Sequence, residues 1–196
     1  MASLTLEQIA HSPEHLTRDL CLPDEEHFAF RLLLPDDGKR IGCYFESLSD
    51  ETRSRFGPHP LDMATGHALC AEIDYSEILR FIAVHKDAVI AYFLLILNVR
   101  SGTRDRYSKY GIDLVDGEDC VFAPSVSDAY QSQGLGSILL PQILDIAALL
   151  GFSRILLSGG THSTNHRAIR YYQKFGFEEV GRFETTGDNI DMIREI

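Results

Sequence analysis

The sequence predicts a mixed α/β fold, a sheet with helices on both faces, and three observations carry that expectation. Two apolar runs, 78–85 and 89–99, flank the short turn Lys86-Asp87-Ala88 and read as paired strands. A further apolar run at 120–126 leads through the glycine turn Q-S-Q-G-L-G at 131–136 into helically spaced apolar residues from 135 to 150. Along the chain the elements run strand, helices, strand pair, strand, helix, strand, helix, strand pair, without an internal repeat.

Residues 1–27 mix polar and apolar positions and are read as an N-terminal extension, in which Leu4, Ile9, Leu16 and Leu20 support a short helix or two; residues 28–196 form the main domain. The apolar run 28–34 is a strand that stops at Pro35-Asp36-Asp37-Gly38. Ile41, Tyr44, Phe45 and Leu48 then fall on one helical face. Ser49, with Asp50 and Glu51 behind it, caps a second helix that Gly57-Pro58 ends, and 62–70 reads as a third. The polar stretch 100–119 reads as a loop. After the glycine turn, the helix ends at Gly151; 154–157 is a short buried strand, 163–175 a helix closed by Gly176, and 178–184 and 190–196 are the final strands. Pro141 falls inside the helix after the turn, where a kink or widened turn is expected.

Composition narrows function. With 44% hydrophobic and 24% charged residues the chain is ordinary globular material, with no apolar run of membrane-spanning length and no basic-then-apolar leader at its start, so a cytoplasmic protein is expected. A formal net charge of −11 argues against nucleic-acid binding and favours a cationic partner such as an amine. Cys21, Cys43, Cys70 and Cys120 form no C-x-x-C pair, and the spaced pairs His11/His15 and His162/His166 lack a third ligand, so no metal site is expected.

The glycine turn at a strand-to-helix junction aims free main-chain N–H groups at an anion, a weak signal alone. A second block sharpens it: Asn165, Tyr172 and Gly176 recur along one helix face. Through V-S-D-A-Y-Q-S-Q-G-L-G-S-I-L-L at 126–140 and N-H-R-A-I-R-Y-Y-Q-K-F-G-F at 165–177, the chain resembles the GNAT superfamily of acyl-CoA-dependent N-acyltransferases.

That resemblance implies a largely antiparallel central sheet and acetyl-CoA as co-substrate. It implies that Gln131, Ser132, Gln133, Gly134, Leu135 and Gly136, with Ser137 opening the helix, hold the pyrophosphate. Ser125 and Val126 pair with the pantetheine amides where two strands splay, and Asn165 bonds the cofactor arm. Tyr172 is the expected general acid, Val126 N–H the oxyanion donor, and Glu118 or Asp119 the source of a base. Where the family prefers a basic residue near the turn, this chain has Gln131 and Gln133. The expected reaction is direct acyl transfer to a primary amine of a small molecule or peptide, with room for homodimerisation; the alternative is a catalytically silent CoA-binding or sensory module. The helices between 36 and 70 and the stretch 100–119 are expected on the acceptor side, with Tyr107 or Tyr110 touching the acceptor.

Overall fold

A computed structural model describes residues 4–185 and 187–196; the first three residues of the expected extension lie outside the described residues. Among the described residues, nine strands build one mixed sheet: β1 (Arg18–Cys21), β2 (His27–Leu32), β3 (Ile78–His85), β4 (Ala88–Ile96), β5 (Asp119–Val126), β6 (Arg154–Leu157), β7 (Thr161–His162), β8 (Glu178–Glu184) and β9 (Asp188–Glu195). Their spatial order is β1-β2-β3-β4-β5-β6-β9-β7, with β8 also on β9, and every pairing is antiparallel except β5 with β6. Seven α-helices accompany them among the described residues: α1 (Leu6–His11), α2 (Gly38–Ser47), α3 (Asp50–Ser54), α4 (Met63–Ala71), α5 (Ser101–Ser108), α6 (Leu135–Leu149) and α7 (His166–Lys174).

The two faces of the sheet carry separate cores. Phe30, Phe81, Phe93 and Phe122 pack with Leu139, Leu140 and Ile143 of α6 and with Tyr172 of α7. On the other face Tyr92, Leu94 and Ala123 pack with Ile41, Tyr44 and Phe45 of α2. This is the alternation of a strand sequence covered on both sides, and it explains why 89–97 reads as one apolar run. Tyr44 and Ser125 share a buried hydrogen bond at 2.9 Å that fixes α2 against β5.

Two local expectations change. The described part of the N-terminal segment contributes α1 and β1, with Ile9 and Leu16 in the core and Leu4 N–H donating to Leu149 O at 3.0 Å. Residues 101–108, read as loop, are helical; α5 has no apolar stripe for a sequence pattern to reveal, because it is held by polar anchors. Arg104 donates to Val99 O and Leu114 O at 3.0 and 2.6 Å, Arg106 grips Asp191, and only Tyr107 of this helix is buried. The helix expected to continue past Pro141 does so, α6 running through it as one 15-residue element. No helix among the described residues is long and apolar enough to cross a membrane.

Helices α2 and α4 cross at glycines. A Cβ on Gly66 would stand 2.7 Å from both Cα and N of Gly42, main-chain atoms that cannot swing aside. Gly66→Ala is therefore expected to cost about 1–3 kcal/mol of stability, as overpacking does. Urea unfolding should show a lower midpoint at an unchanged slope.

Candidate functional site

The sheet opens between β5 and β6. Register pairs Ala91 with Val126 and Phe93 with Pro124, and Ser127 N–H donates to Ile90 O at 2.9 Å. Antiparallel alternation then turns the main-chain groups of Ser125 toward β4 and those of Pro124 and Val126 toward the β6 side. On that side the pairing stops: β6 accompanies β5 only from Asp119↔Arg154 to Phe122↔Leu157, and Ser158 N–H to Phe122 O at 2.8 Å closes it. Beyond this point Pro124 C=O and Val126 N–H face no strand. Val126 C=O is taken by Gln131 Nε2 at 3.0 Å, and Pro124 has no N–H, so Val126 supplies the donor on this edge.

The opening leads into a cavity of about 920 Å³. One wall is the glycine turn. Ser132 and Gly134 have left-handed backbones, φ +62 and +87, and Gly134 precedes α6 with no side-chain cap. By contrast α1, α3, α4 and α7 all start with a capping side chain. The first bond of α6 runs from Ile138 N–H to Gly134 O, so the N–H groups of residues 134–137 precede it and point out of the helix end. Gly136 has a different task from the one its motif suggests: a Cβ there would sit 3.1 Å from the Tyr171 hydroxyl, which donates to Gly136 O at 2.7 Å and locks α7 onto this turn.

That bond separates the two adjacent tyrosines. Tyr171 is committed to Gly136, whereas Tyr172, only 8% exposed, reaches the cavity with no hydrogen-bond partner among the described residues and is not sealed from solvent. Burial raises the pKa of both phenols, so Tyr172 stays protonated. Asn165 also lines the cavity, while its Oδ1 caps α7 by accepting from Ala168 N–H at 3.2 Å.

Val126, Gln131, Ser132, Gly134, Gly136, Ser137, Asn165 and Tyr172 thus come together around one cavity. Others do not. Ser125 turns its main chain to β4 and its hydroxyl to Tyr44 on the opposite face. Leu135 has its side chain in the core, and Gln133 bonds Ala129 O outside the cavity lining. Glu118 is exposed just before β5, about 26 Å along the strand from Val126 at ~3.3 Å per residue. Asp119 is fully buried, accepting from Arg154 Nε and Nη2 at 2.6 and 2.7 Å, a structural pair. Tyr107 and Tyr110 also stay out: their hydroxyls bond Met192 O and Asp191, and neither lines the cavity.

Two features were not read from the sequence. Arg167 lines the cavity beside the turn and donates to Gln131 Oε1, so the cation absent from the turn arrives from α7. Its signal was its place in the first turn of a helix, where the dipole disfavours a positive charge. The second is a junction at Thr52 of α3: its hydroxyl donates to Asp128 at 2.6 Å and accepts from Gln131 Nε2 at 3.0 Å, joining α3 to the turn. Charge also inverts locally. In a chain of net charge −11, the cavity lining carries one carboxylate, Glu51, against the guanidiniums of Arg55, Arg106 and Arg167. Among the described residues no group of His, Cys, Asp and Glu is arranged to hold a metal.

Residues 4–177 match the model of the acetyltransferase (GNAT) family. The chain belongs to that family. A spermine/spermidine N(1)-acetyltransferase of Bacillus subtilis (strain 168) is 35% identical over 72 residues, 36% of this chain and 45% of that protein, so the chain spans under half the length of this curated relative. Among solved structures, the GNAT domain of S. lividans PAT superposes with a TM-score of 0.75 at 22% identity, covering 94% of this chain and 99% of that one. AAC(6')-Ib in complex with parmomycin and acetyl-CoA gives 0.62 at 20% identity, covering 86% and 93%. These likenesses establish the GNAT fold.

The buried phenols give the molecule a definite response to alkali. Desolvation raises the pKa of Tyr44, Tyr92, Tyr107, Tyr171 and Tyr172 above the ordinary value of 10. Above pH 10 the unfolded chain sheds phenolic protons that the folded chain keeps, so their contribution to stability is complete below pH 10 and is lost as pH rises. Absorbance at 295 nm and circular dichroism, followed together, should show these five ionising only in step with unfolding.

Proposed function

We propose that this protein is an acetyl-CoA-dependent N-acyltransferase acting on a primary amine. The observation that carries the proposal is the parting of β5 and β6 beside an uncapped helix N-terminus, which sets a strand-edge donor and acceptor and an anion cradle along one cavity. The cavity fits the coenzyme in charge as well as form: main-chain N–H groups at Ser132, Gly134, Gly136 and Ser137, with Arg167 beside them, would hold its diphosphate. Pro124 C=O would accept from an amide N–H of its arm, in the manner of an added strand, and Asn165 lines the same cavity.

When bound, acetyl-CoA supplies an acyl group on sulfur, which passes to the amine as a C–N bond forms, the C–S bond breaks and the thiol leaves. The chain's own groups serve this transfer. Val126 N–H is the donor available to the carbonyl oxygen. Tyr172, held as a phenol by burial and with its hydroxyl uncommitted, gives a hydrogen bond and a proton to the departing sulfur. Removal of the amine's proton is assigned to His162, an imidazole on the cavity wall whose Nδ1 lies 2.7 Å from Thr164 Oγ1; the lining carboxylate, Glu51, already pairs with Arg55 at 2.6 Å.

A coenzyme-binding module without turnover is the second reading, favoured by the absence of a carboxylate on the open stretch of β5. Calorimetry and thiol release separate the two. Acetyl-CoA should bind with measurable heat, and an amine panel should release free thiol; heat without release supports the silent module, and no heat removes both. Arg167→Ala should weaken coenzyme affinity about tenfold, the loss of one charge-assisted bond. Tyr172→Phe should lower kcat about 10–100-fold while leaving KM for acetyl-CoA unchanged; equal turnover would remove Tyr172 from the reaction.

A further inference from the structure

The cavity beside the open edge of β5 is also lined by Phe56 and Pro58 after α3 and by Arg106, Phe183, Thr185 and Asn189. Three of these six side chains, Phe56, Pro58 and Phe183, are apolar. Arg106 lays its guanidinium over the Phe183 ring at 3.9 Å and is held there by Asp191 through bonds of 2.6 and 3.1 Å. Asp191 is 0% exposed, so its charge is spent on Arg106 and on the Tyr110 hydroxyl rather than offered to the cavity. Glu51, the lining carboxylate, is bound to Arg55. Among the described residues, the carboxylates here are committed to Arg106 and Arg55, so a ligand with several ammonium groups would find no free carboxylate to pair with.

Asn189 adds a directed acceptor. It is 9% exposed, and its Nδ2 donates to Thr185 Oγ1 at 3.0 Å and to Gly187 O at 2.7 Å. Those two acceptors fix the amide orientation, since a flipped amide would set its oxygen against the Gly187 carbonyl. Its Oδ1 has no hydrogen bond among the described residues and is not a sealed atom.

We propose that the acceptor is a primary amine carried on an uncharged, apolar body, which lies against Phe56, Pro58 and Phe183 while Asn189 Oδ1 takes an N–H of its amino group, and that polyamines are poor acceptors. The inference rests on the acyltransferase reading and adds the acceptor's class and a positioning residue. It sets the chain apart from the spermine/spermidine relative that its sequence partly matches.

The test is steady-state thiol release at saturating acetyl-CoA, with 2-phenylethylamine and spermidine as acceptors. The expected result is a kcat/KM at least tenfold higher for 2-phenylethylamine; equal or higher values for spermidine overturn the proposal. Asn189→Leu should raise KM for 2-phenylethylamine about tenfold with KM for acetyl-CoA unchanged, and an unchanged amine KM removes Asn189 from the site. Phe56→Glu, a change at a half-buried side chain, should shift the ratio toward spermidine even if Asn189→Leu does not fold. If no amine turns over, the acyltransferase reading fails separately, and calorimetric titration of both amines into the CoA-saturated protein still decides: tighter binding of 2-phenylethylamine supports the acceptor class, while tighter spermidine or no heat from either overturns it.

Discussion

Everything in this site depends on two parallel strands ceasing to pair. β5 and β6 run together for four residue pairs and part after Phe122 and Leu157. While paired, they bury Phe122, Leu156 and Leu157 in the cores; once parted, they leave main-chain groups of β5 exposed inside the molecule. Unpaired backbone at such a depth is costly unless a ligand or water satisfies it. The sheet tolerates the gap because β5 keeps its full pairing with β4 on the other side, from Val121 to Val126, and because the Tyr44–Ser125 bond holds the free stretch to α2.

The turn before α6 is secured by the same logic of compensation. Asp128 accepts from Ser49 N–H, Ser49 Oγ and Thr52 Oγ1 at 2.8, 2.7 and 2.6 Å, so the short segment leading to the glycines is tied to α3. Those bonds outweigh the desolvation that opposes ionisation of Asp128 and hold its carboxyl below the usual range. From the other side, Tyr171 bonds Gly136 O and Arg167 bonds Gln131. A loop containing two left-handed residues thereby becomes a fixed surface, and preorganised donors of this kind lose little on meeting an anion.

Much of this was legible in one sequence. The strand pair at 78–96, the cap Ser49 and the glycine-to-helix junction follow from local chemistry, in which period, a hydroxyl at an N-cap, and glycine at positive φ each leave a mark. What was not legible is what depends on register and on distant partners. Whether Ser125 or Val126 turns its main chain to the open edge of β5 is set by which residue of β4 it opposes, and a one-residue difference exchanges them. Glu118 is adjacent in sequence to the right strand but at its wrong end. Helix α5 is stabilised by Arg104, Arg106 and Tyr107 reaching residues such as Leu114, Asp191 and Met192, so no periodicity announces it.

Pro124 has a consequence for the molecule's behaviour in company. A gap between strands in mid-sheet is a slot into which a foreign chain segment can zip, seeding aggregates or swapped dimers, and exposed strand edges are commonly blunted by proline. Here the ring falls at a residue whose nitrogen would have faced the slot. A peptide trying to extend the ladder finds a missing rung, whereas a ligand with one or two well-placed amides loses nothing.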